Sequence, residues 1–441
     1  MKALDRDILR LAVPALGALV AEPLFLLTDT ALVGHLGEIP LAGLTISSVV
    51  LQTSIGLLVF LAYATTPAVA RRLGAGDRPG AIRAGIDGLW LALFLGIVLV
   101  GIGIAFARPL VHLFGADPAV EEQAATYLVV SLAGIPAMLL VIAATGLLRG
   151  LQDTKTPLVV AVSGFAANAG LNAFFIYGLG WGIAGSAAGT VVAQWAMAAV
   201  YIVIAVRASR SVGVSLKPGL AGVTGTAASG GWLFVRAASL RAAFVAAVVV
   251  ASNQGIVELA TFQIASTLFF TLAFILDALA IAGQALVGHS LGAANVSRVR
   301  SVMRRLVQWG LGGGAVLGAI IAALSPVLGP VFSSSPDVQW ALTVVVLVMA
   351  IGIPLAGFVF VLDGVLIGAG DARYLALTGL ANLAVYVPML IAVWMFAPGG
   401  TAGLVWLWLA FGFGYIGARA ATLGLRSRST AWMTTGAVRP R

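Results

Sequence analysis

A chain of 441 residues that is 61% hydrophobic and only 9% charged excludes an ordinary soluble globular protein, in which about 25% of residues carry charge. Its net charge of +9 falls between long apolar runs, so it reads as a signal for orientation in a bilayer and not as a nucleic-acid surface. The absence of cysteine excludes disulfide, iron–sulfur and thiolate chemistry.

The apolar runs are continuous, whereas outer-membrane strands alternate with period two, so the fold class is all-α polytopic membrane protein. Twelve spans are predicted, over 8–34, 44–70, 84–107, 122–147, 157–177, 183–206, 228–252, 256–287, 303–324, 339–367, 374–396 and 401–423. The first is too long for a signal-peptide core and is preceded by Asp5 and Asp7, so it reads as a retained span. It carries two carboxylates, Glu22 and Asp29, seven residues apart. Two helical turns cover about seven residues, so the two acids share one face. An acid inside a span is costly and marks a functional pathway by default.

No Asp, Glu, Lys or Arg occurs from Thr156 to Val206 or from Tyr374 to Ala418. Each stretch holds two spans, joined by tight turns at Gly178-Leu179-Gly180 and Pro398-Gly399-Gly400. The basic residues fall on one side of a twelve-span chain. Lys2, Arg6 and Arg10 precede span one, and Arg71, Arg72, Arg78 and Arg83 follow span two. Arg149 and Lys155, then Arg207, Arg210 and Lys217, follow spans four and six. Arg298, Arg300, Arg304 and Arg305, then Arg373, follow spans eight and ten, and Arg419, Arg426, Arg428, Arg439 and Arg441 end the chain. The opposite loops hold only Arg108. This bias predicts a multi-pass protein of the cell membrane with both termini in the cytoplasm. The runs Arg71-Arg72 and Arg298 to Arg305 read as topology signals that also suit anionic lipid.

The two halves repeat. Gly134-Ile135-Pro136 recurs as Gly352-Ile353-Pro354, an offset of 218 (352 − 134), and the same offset takes Leu73-Gly74-Ala75 to Leu291-Gly292-Ala293. It also relates Gly37 to Gly255, Phe114 to Phe332, Gly150 to Gly368 and Asp153 to Asp371. Six spans repeated as six spans give a parallel repeat, the architecture of a carrier with alternating access. The predicted organisation is an amino-terminal six-helix bundle over 1–210, a cytoplasmic linker over 211–225, a carboxy-terminal bundle over 226–425 and a tail over 426–441.

Primary pumping needs a P-loop lysine after glycine, but the three lysines, Lys2, Lys155 and Lys217, follow Met1, Thr154 and Leu216. His35, His112 and His289 are scattered and suggest no metal cluster. No paired-carboxylate motif for magnesium is present. These absences argue against a primary pump and against a metal enzyme, while an integral membrane enzyme stays open in principle; the expectation is a non-enzyme with no cofactor and no metal, and with transport driven by an ion gradient or by the solute itself.

Pro14, then Thr28-Asp29-Thr30 with Gly34-His35-Leu36-Gly37, resembles the first span of multidrug and toxic compound extrusion (MATE) transporters. Leu171 to Gly178 with Gly182 to Ala187 is similar to their fifth-to-sixth span signature, and Leu276 to Gly288 resembles the DinF-like branch. The resemblance implies a V-shaped exporter of bulky, often cationic organic compounds, driven by inward proton or sodium movement. It implies a monomer in the lipid bilayer, with small organic molecules as partners and no nucleic acid. It also implies a coupling pocket at Asp29, Asn168, Asn172 and Thr190. Some relatives have an acid where Asn172 stands. With one carboxylate left, a sodium site at Asp29 is weakened and proton coupling is favoured. Several branches carry an acid in span seven, where this chain has Arg236, with Glu258 just past it.

Low dielectric disfavours the charged form of Asp29, which suits a group that loads and releases protons. Asn168 and Asn172 lie four apart on one helix face and can hydrogen-bond to it; polar glue between helices is the plainer reading of both and of Thr190. Glu22 precedes Pro23, a kink site. Pairing of Glu22 with a cation such as Arg236 is favoured over a hinge role. Asp277 and Arg236 read equally as a buried ion pair, a gate or a contact for a cationic substrate, and Asp363 in span ten is similar. Asp153 and Asp371 read as loop caps. The rival readings are a sodium-coupled antiporter, a lipid-linked saccharide flippase, which needs a strongly cationic cavity, and a membrane scaffold or enzyme.

Overall fold

Long uncharged apolar stretches, punctuated by Gly, Pro and short polar loops, leave the backbone no partner but itself, and helices are the result. The structure is a computed structural model that describes residues 3–437; Lys2, Arg439 and Arg441 of the basic set lie outside it. The helices are α1 (Ala3–Gly34), α2 (Glu38–Leu58), α3 (Phe60–Gly74), α4 (Arg78–His112), α5 (Pro118–Leu132), α6 (Ile135–Gly150), α7 (Lys155–Ala173), α8 (Gly182–Ser211) and α9 (Leu220–Gln254). They continue as α10 (Ile256–Gly292), α11 (Val296–Phe332), α12 (Pro336–Gly368), α13 (Ala372–Phe396), α14 (Thr401–Leu409) and α15 (Ile416–Arg428). Wider π-type turns follow α7, at Phe174–Gly178, and α14, at Ala410–Tyr415.

Among the described residues, eleven helices are long and apolar enough to cross a membrane, or twelve when α5 and α6 count as one span. The α2–α3 and α14–α15 pairs each run on as a single span, and α5 meets α6 at a bend of 52°. The bend falls at Ala133-Gly134, just before Pro136, which cannot donate to the preceding turn. In the repeat-related α12, helix continues unbroken through Gly352-Ile353-Pro354.

The chain divides into two compact units. One is Val13–Gly230; the other takes the chain up to Ala12 and from Gly231 onward. In the first, the most extensive packing joins α3, α4 and α6; in the second, it joins α10, α11 and α12. These trios are related by the offset of 218. A Cβ placed on Gly96 would lie 2.6 Å from the Cα of Pro136, and one on Gly314 would lie 2.8 Å from the Cα of Pro354. The same holds where Gly146 meets Ala62 and Gly364 meets Ala280, at 2.9 and 2.6 Å. Lipid tails give helices no hydrophobic reason to associate, so close approach through small residues supplies the contact instead. The repeat extends to helix starts: Asp77 caps α4 by accepting from the Gly80 N–H, and Asn295 caps α11 by accepting from that of Arg298.

Loop contacts within each unit join segments assigned to the same side of the membrane. Arg305 pairs with Asp5 at 2.5 Å, Arg298 with Asp7 at 3.0 Å and Arg426 with Asp371 at 2.8 Å. The loop before α9 is held against α4, with Arg83 donating to the Ser215 carbonyl, Trp90 to that of Leu216, and the Gly219 N–H to Asp87. On the side of Arg108, that residue approaches Glu122, and His112 approaches Glu121.

Candidate functional site

Thr28 and Thr30 bond back to the carbonyls of Leu24 and Leu26 on their own helix, the usual way for hydroxyls to satisfy themselves inside a span. Asp29, between them, points inward and is 4% exposed. Three neutral groups donate to it. The Ser186 hydroxyl and the Asn172 amide reach Oδ1 at 2.5 and 2.8 Å, and the Tyr127 hydroxyl reaches Oδ2 at 3.1 Å. No salt bridge to Asp29 occurs among the described residues.

Each donor sits where helical periodicity puts it. α7 presents Asn168 and Asn172 one turn apart, and α8 presents Ser186 and Thr190 one turn apart, so two polar faces meet. Asn168 donates to Thr190 at 3.0 Å, a second layer that does not bond Asp29 directly. Asn172 is fully buried and its Oδ1 receives no hydrogen bond among the described residues. That oxygen faces Gly189, where a Cβ would lie only 2.1 Å away. Gly189 is therefore the residue that makes room for the Asn172 amide. The π-type turn begins two residues after Asn172, and such bulges often occur at functional positions in helices.

Asp29, Tyr127, Asn168 and Thr190 form one wall of a cavity of about 220 Å³ in this unit. Glu22, Phe25, Phe165, Gln52 and Gln194 line other parts of it. Glu22 is exposed to this space and makes no hydrogen bond or ion pair among the described residues. Its expected partner Arg236 donates through two guanidinium nitrogens to Asp363, with Nε 3.1 Å from Oδ1. Arg419 approaches the same carboxylate at 3.4 Å. Asp363 is thus the centre of a buried Arg–Asp–Arg cluster on α9, α12 and α15.

Of the remaining candidates, Glu258, Asp277 and Asp371 belong to the other unit, and Asp153 stands at the start of α7 in the same unit as Asp29. Glu258 is the third residue of α10, its carboxylate folded back toward Gly255, where an acid suits the positive end of the helix. Asp277 is half-buried midway along α10. Asp153 caps the start of α7, accepting from the backbone and hydroxyl of Thr156, while Asp371 is paired with Arg426. The spacing argument did not reach Tyr127 and Ser186. Ser186 was within reach of it, because it stands four residues before Thr190 on the same face. Tyr127 lies on α5 beside Thr126 and one turn before Ser131, and nothing in that spacing singles it out as a partner of α1.

The chemistry available at Asp29 follows from its partners. Hydroxyls both donate and accept, and an amide can turn its oxygen toward a proton. The same shell of neutral groups can therefore hydrogen-bond to the carboxylate and to the carboxylic acid. Among the described residues, no three acids or histidines come together as a metal site.

The MatE family model matches residues 14–174 and 234–394, one copy in each half. The chain is 29% identical to Protein DETOXIFICATION 44, chloroplastic, of Arabidopsis thaliana over 414 residues, covering 91% of this chain and 78% of that protein. It is 28% identical to DNA damage-inducible protein F of Escherichia coli over 314 residues, covering 68% and 66%. Its fold superimposes on an outward-facing multidrug resistance MATE family transporter of the MOP superfamily, with a TM-score of 0.87. The identity there is 23%, with 98% of this chain and 97% of that one covered.

Proposed function

Because this chain belongs to the MatE family and is a transporter rather than an enzyme, we propose that it is a multidrug exporter of the cell membrane. It moves bulky organic compounds outward in exchange for protons by alternating access, working as a monomer with both termini in the cytoplasm. The observation that carries this reading is Asp29, a buried carboxylate held by Tyr127, Asn172 and Ser186 and, among the described residues, by no cation. A carboxylate held by neutral donors can change charge, because its shell rearranges by rotating hydroxyls and an amide. A sodium ion prefers several oxygens with more negative charge among them, as hard cations do, and Asn172 turns its nitrogen, not its oxygen, toward Asp29.

In the proposed cycle, a proton taken up at Asp29 breaks the pattern of three donors converging on an anion. Asn172 and Ser186, on α7 and α8, then bond differently to α1. Pro23 offers no N–H to the carbonyl of Leu19, so α1 is weakened there, beside the cavity. Bending at Pro23 changes the volume of the cavity and expels its occupant. The loop contacts of Asp5 with Arg305 and of Asp371 with Arg426 support placing these segments on one side, and the basic bias of that side favours the cytoplasm.

Proteoliposomes loaded with ethidium test this reading. In sodium-free buffer an imposed proton gradient is expected to accelerate ethidium movement, and a sodium gradient at constant pH is expected to have no effect. Acceleration by sodium alone would overturn proton coupling.

A further inference from the structure

Glu22 and Asp29 face the same cavity from the same helix, yet their surroundings differ. Asp29 accepts three hydrogen bonds and is almost fully enclosed. Glu22 accepts none among the described residues, and its side chain is open to the cavity. Seven residues at 1.5 Å each separate the two along the helix axis by roughly 10 Å. A carboxylate that borders an apolar cavity with no partner keeps the full cost of its position. That cost is offset only when something cationic enters.

The wall beside Glu22 is aromatic. Phe25, one turn on along α1, stacks on Phe165 of α7 with ring centres 5.0 Å apart and planes inclined by 15°, and both rings line the cavity. A flat ring face beside an unpaired carboxylate is the pairing that attracts a planar organic cation, through the ring quadrupole and through charge. Gln52 and Gln194 add neutral polar groups to the same space.

We propose that Glu22 is the charge-selecting residue of the transporter. It binds the positive group of an aromatic organic cation held against Phe25 and Phe165, while Asp29 carries the coupling proton. Substrate charge and proton load are then read by two different carboxylates, and an occupant at Glu22 leaves the three donors of Asp29 in place. This inference rests on the export reading above and deepens it, by assigning the feature of the site that prefers cations.

The test compares ethidium, a planar cation of fixed charge, with dihydroethidium, its uncharged reduced form. Equilibrium binding of both to the purified full chain gives the ratio of their Kd values. Glu22→Gln is expected to lower the preference for the cation about tenfold, the equivalent of one charge-assisted contact of about 1.4 kcal/mol. Glu22→Asp, which keeps the charge but withdraws it by one methylene, is expected to fall between that variant and the wild type. It also answers the question should Glu22→Gln fail to fold. An unchanged ratio in either variant, or no binding of ethidium by the wild type, would overturn the assignment. Gradient-driven export by the wild type is measured alongside. Export with an unchanged ratio in the variants breaks the assignment of Glu22 alone. A Glu22-dependent ratio without any export breaks the export reading and leaves Glu22 as the anchor.

Discussion

Asp29 and Asp363 are both buried in apolar helical surroundings, 4% and 6% exposed, yet they are held by opposite means. Asp29 is bonded by two hydroxyls and an amide. Asp363 is bonded by the guanidinium groups of Arg236 and Arg419. A neutral shell lets a carboxylate gain or lose a proton at modest cost. Two guanidinium groups fix it as an anion, because protonation would leave buried positive charge unmatched. The comparison separates a carboxylate that can act in coupling from one that holds helices together.

The internal repeat sharpens this contrast. Adding 218 to Asp29, Tyr127, Asn168, Asn172, Ser186 and Thr190 gives Ala247, Val345, Tyr386, Leu390, Leu404 and Trp408. All six of these are buried, so the second half keeps the enclosure and replaces the polar pocket with apolar and aromatic side chains. Tyr386 and Trp408 each contact Phe411 there, at 6.4 and 5.7 Å. Conversely, subtracting 218 from Asp363 and Arg419 gives Thr145 and Tyr201, and their hydroxyls lie 3.4 Å apart. One crossing of helices is thus bridged by an ion pair in one half and by neutral hydroxyls in the other. The scaffold is duplicated; the polar pocket around Asp29 is not.

Breaking the locked carboxylate should have the largest effect on stability. Asp363→Asn leaves Arg236 and Arg419 buried against each other, and loss of one partner from a buried pair costs about 3–5 kcal/mol. Thermal unfolding in detergent should show a large fall in Tm, and an unchanged Tm would mean that the cluster is not a brace. Gly189→Ala should have the next effect, on transport. Its Cβ would lie 2.1 Å from Asn172 Oδ1 and 2.9 Å from the Asn172 nitrogen, so Asn172 must leave Asp29. A hydrogen bond to a charged group is worth about 1.5–3 kcal/mol, so proton-driven export should fall by roughly ten- to a hundredfold, read as initial rate. Tyr201→Phe should do least. It removes only the neutral contact to Thr145, worth about 1 kcal/mol or less, and Tm should barely move. A loss as large as that of Asp363→Asn would erase the contrast between the two crossings.

Much of this was legible in the chain itself, for physical reasons that differ by feature. The spans were visible because an uncharged stretch such as 374–418 has no stable form in lipid but helix. The repeat was visible because Gly96 with Pro136, and Gly314 with Pro354, must stay small and shaped for close approach. Asn168, Asn172 and Thr190 could be placed near Asp29 through family resemblance, and Asn168 and Asn172 share a face by spacing alone. The bend at Gly134 was hidden, since the identical Gly-Ile-Pro at 352–354 stays helical; what differs is packing around the motif. The partner of Arg236 was also hidden. Ion pairing in a span says that a partner exists, but not whether it is Glu22, Asp277 or Asp363; the hydrogen bonds of Arg236 on α9 to Asp363 on α12 identify one. Tyr127 was out of reach because nothing in the spacing of its own helix shows which of Thr126, Tyr127 and Ser131 meets α1.

The most direct test of the account is pH-gradient-driven ethidium export by Asp29→Asn in sodium-free proteoliposomes. Passive exchange of ethidium at equal pH is measured in the same vesicles, to establish that the variant is folded and open to substrate. The account predicts that exchange persists while acceleration by the proton gradient disappears. Acceleration equal to that of the wild type would contradict the assignment of coupling to Asp29.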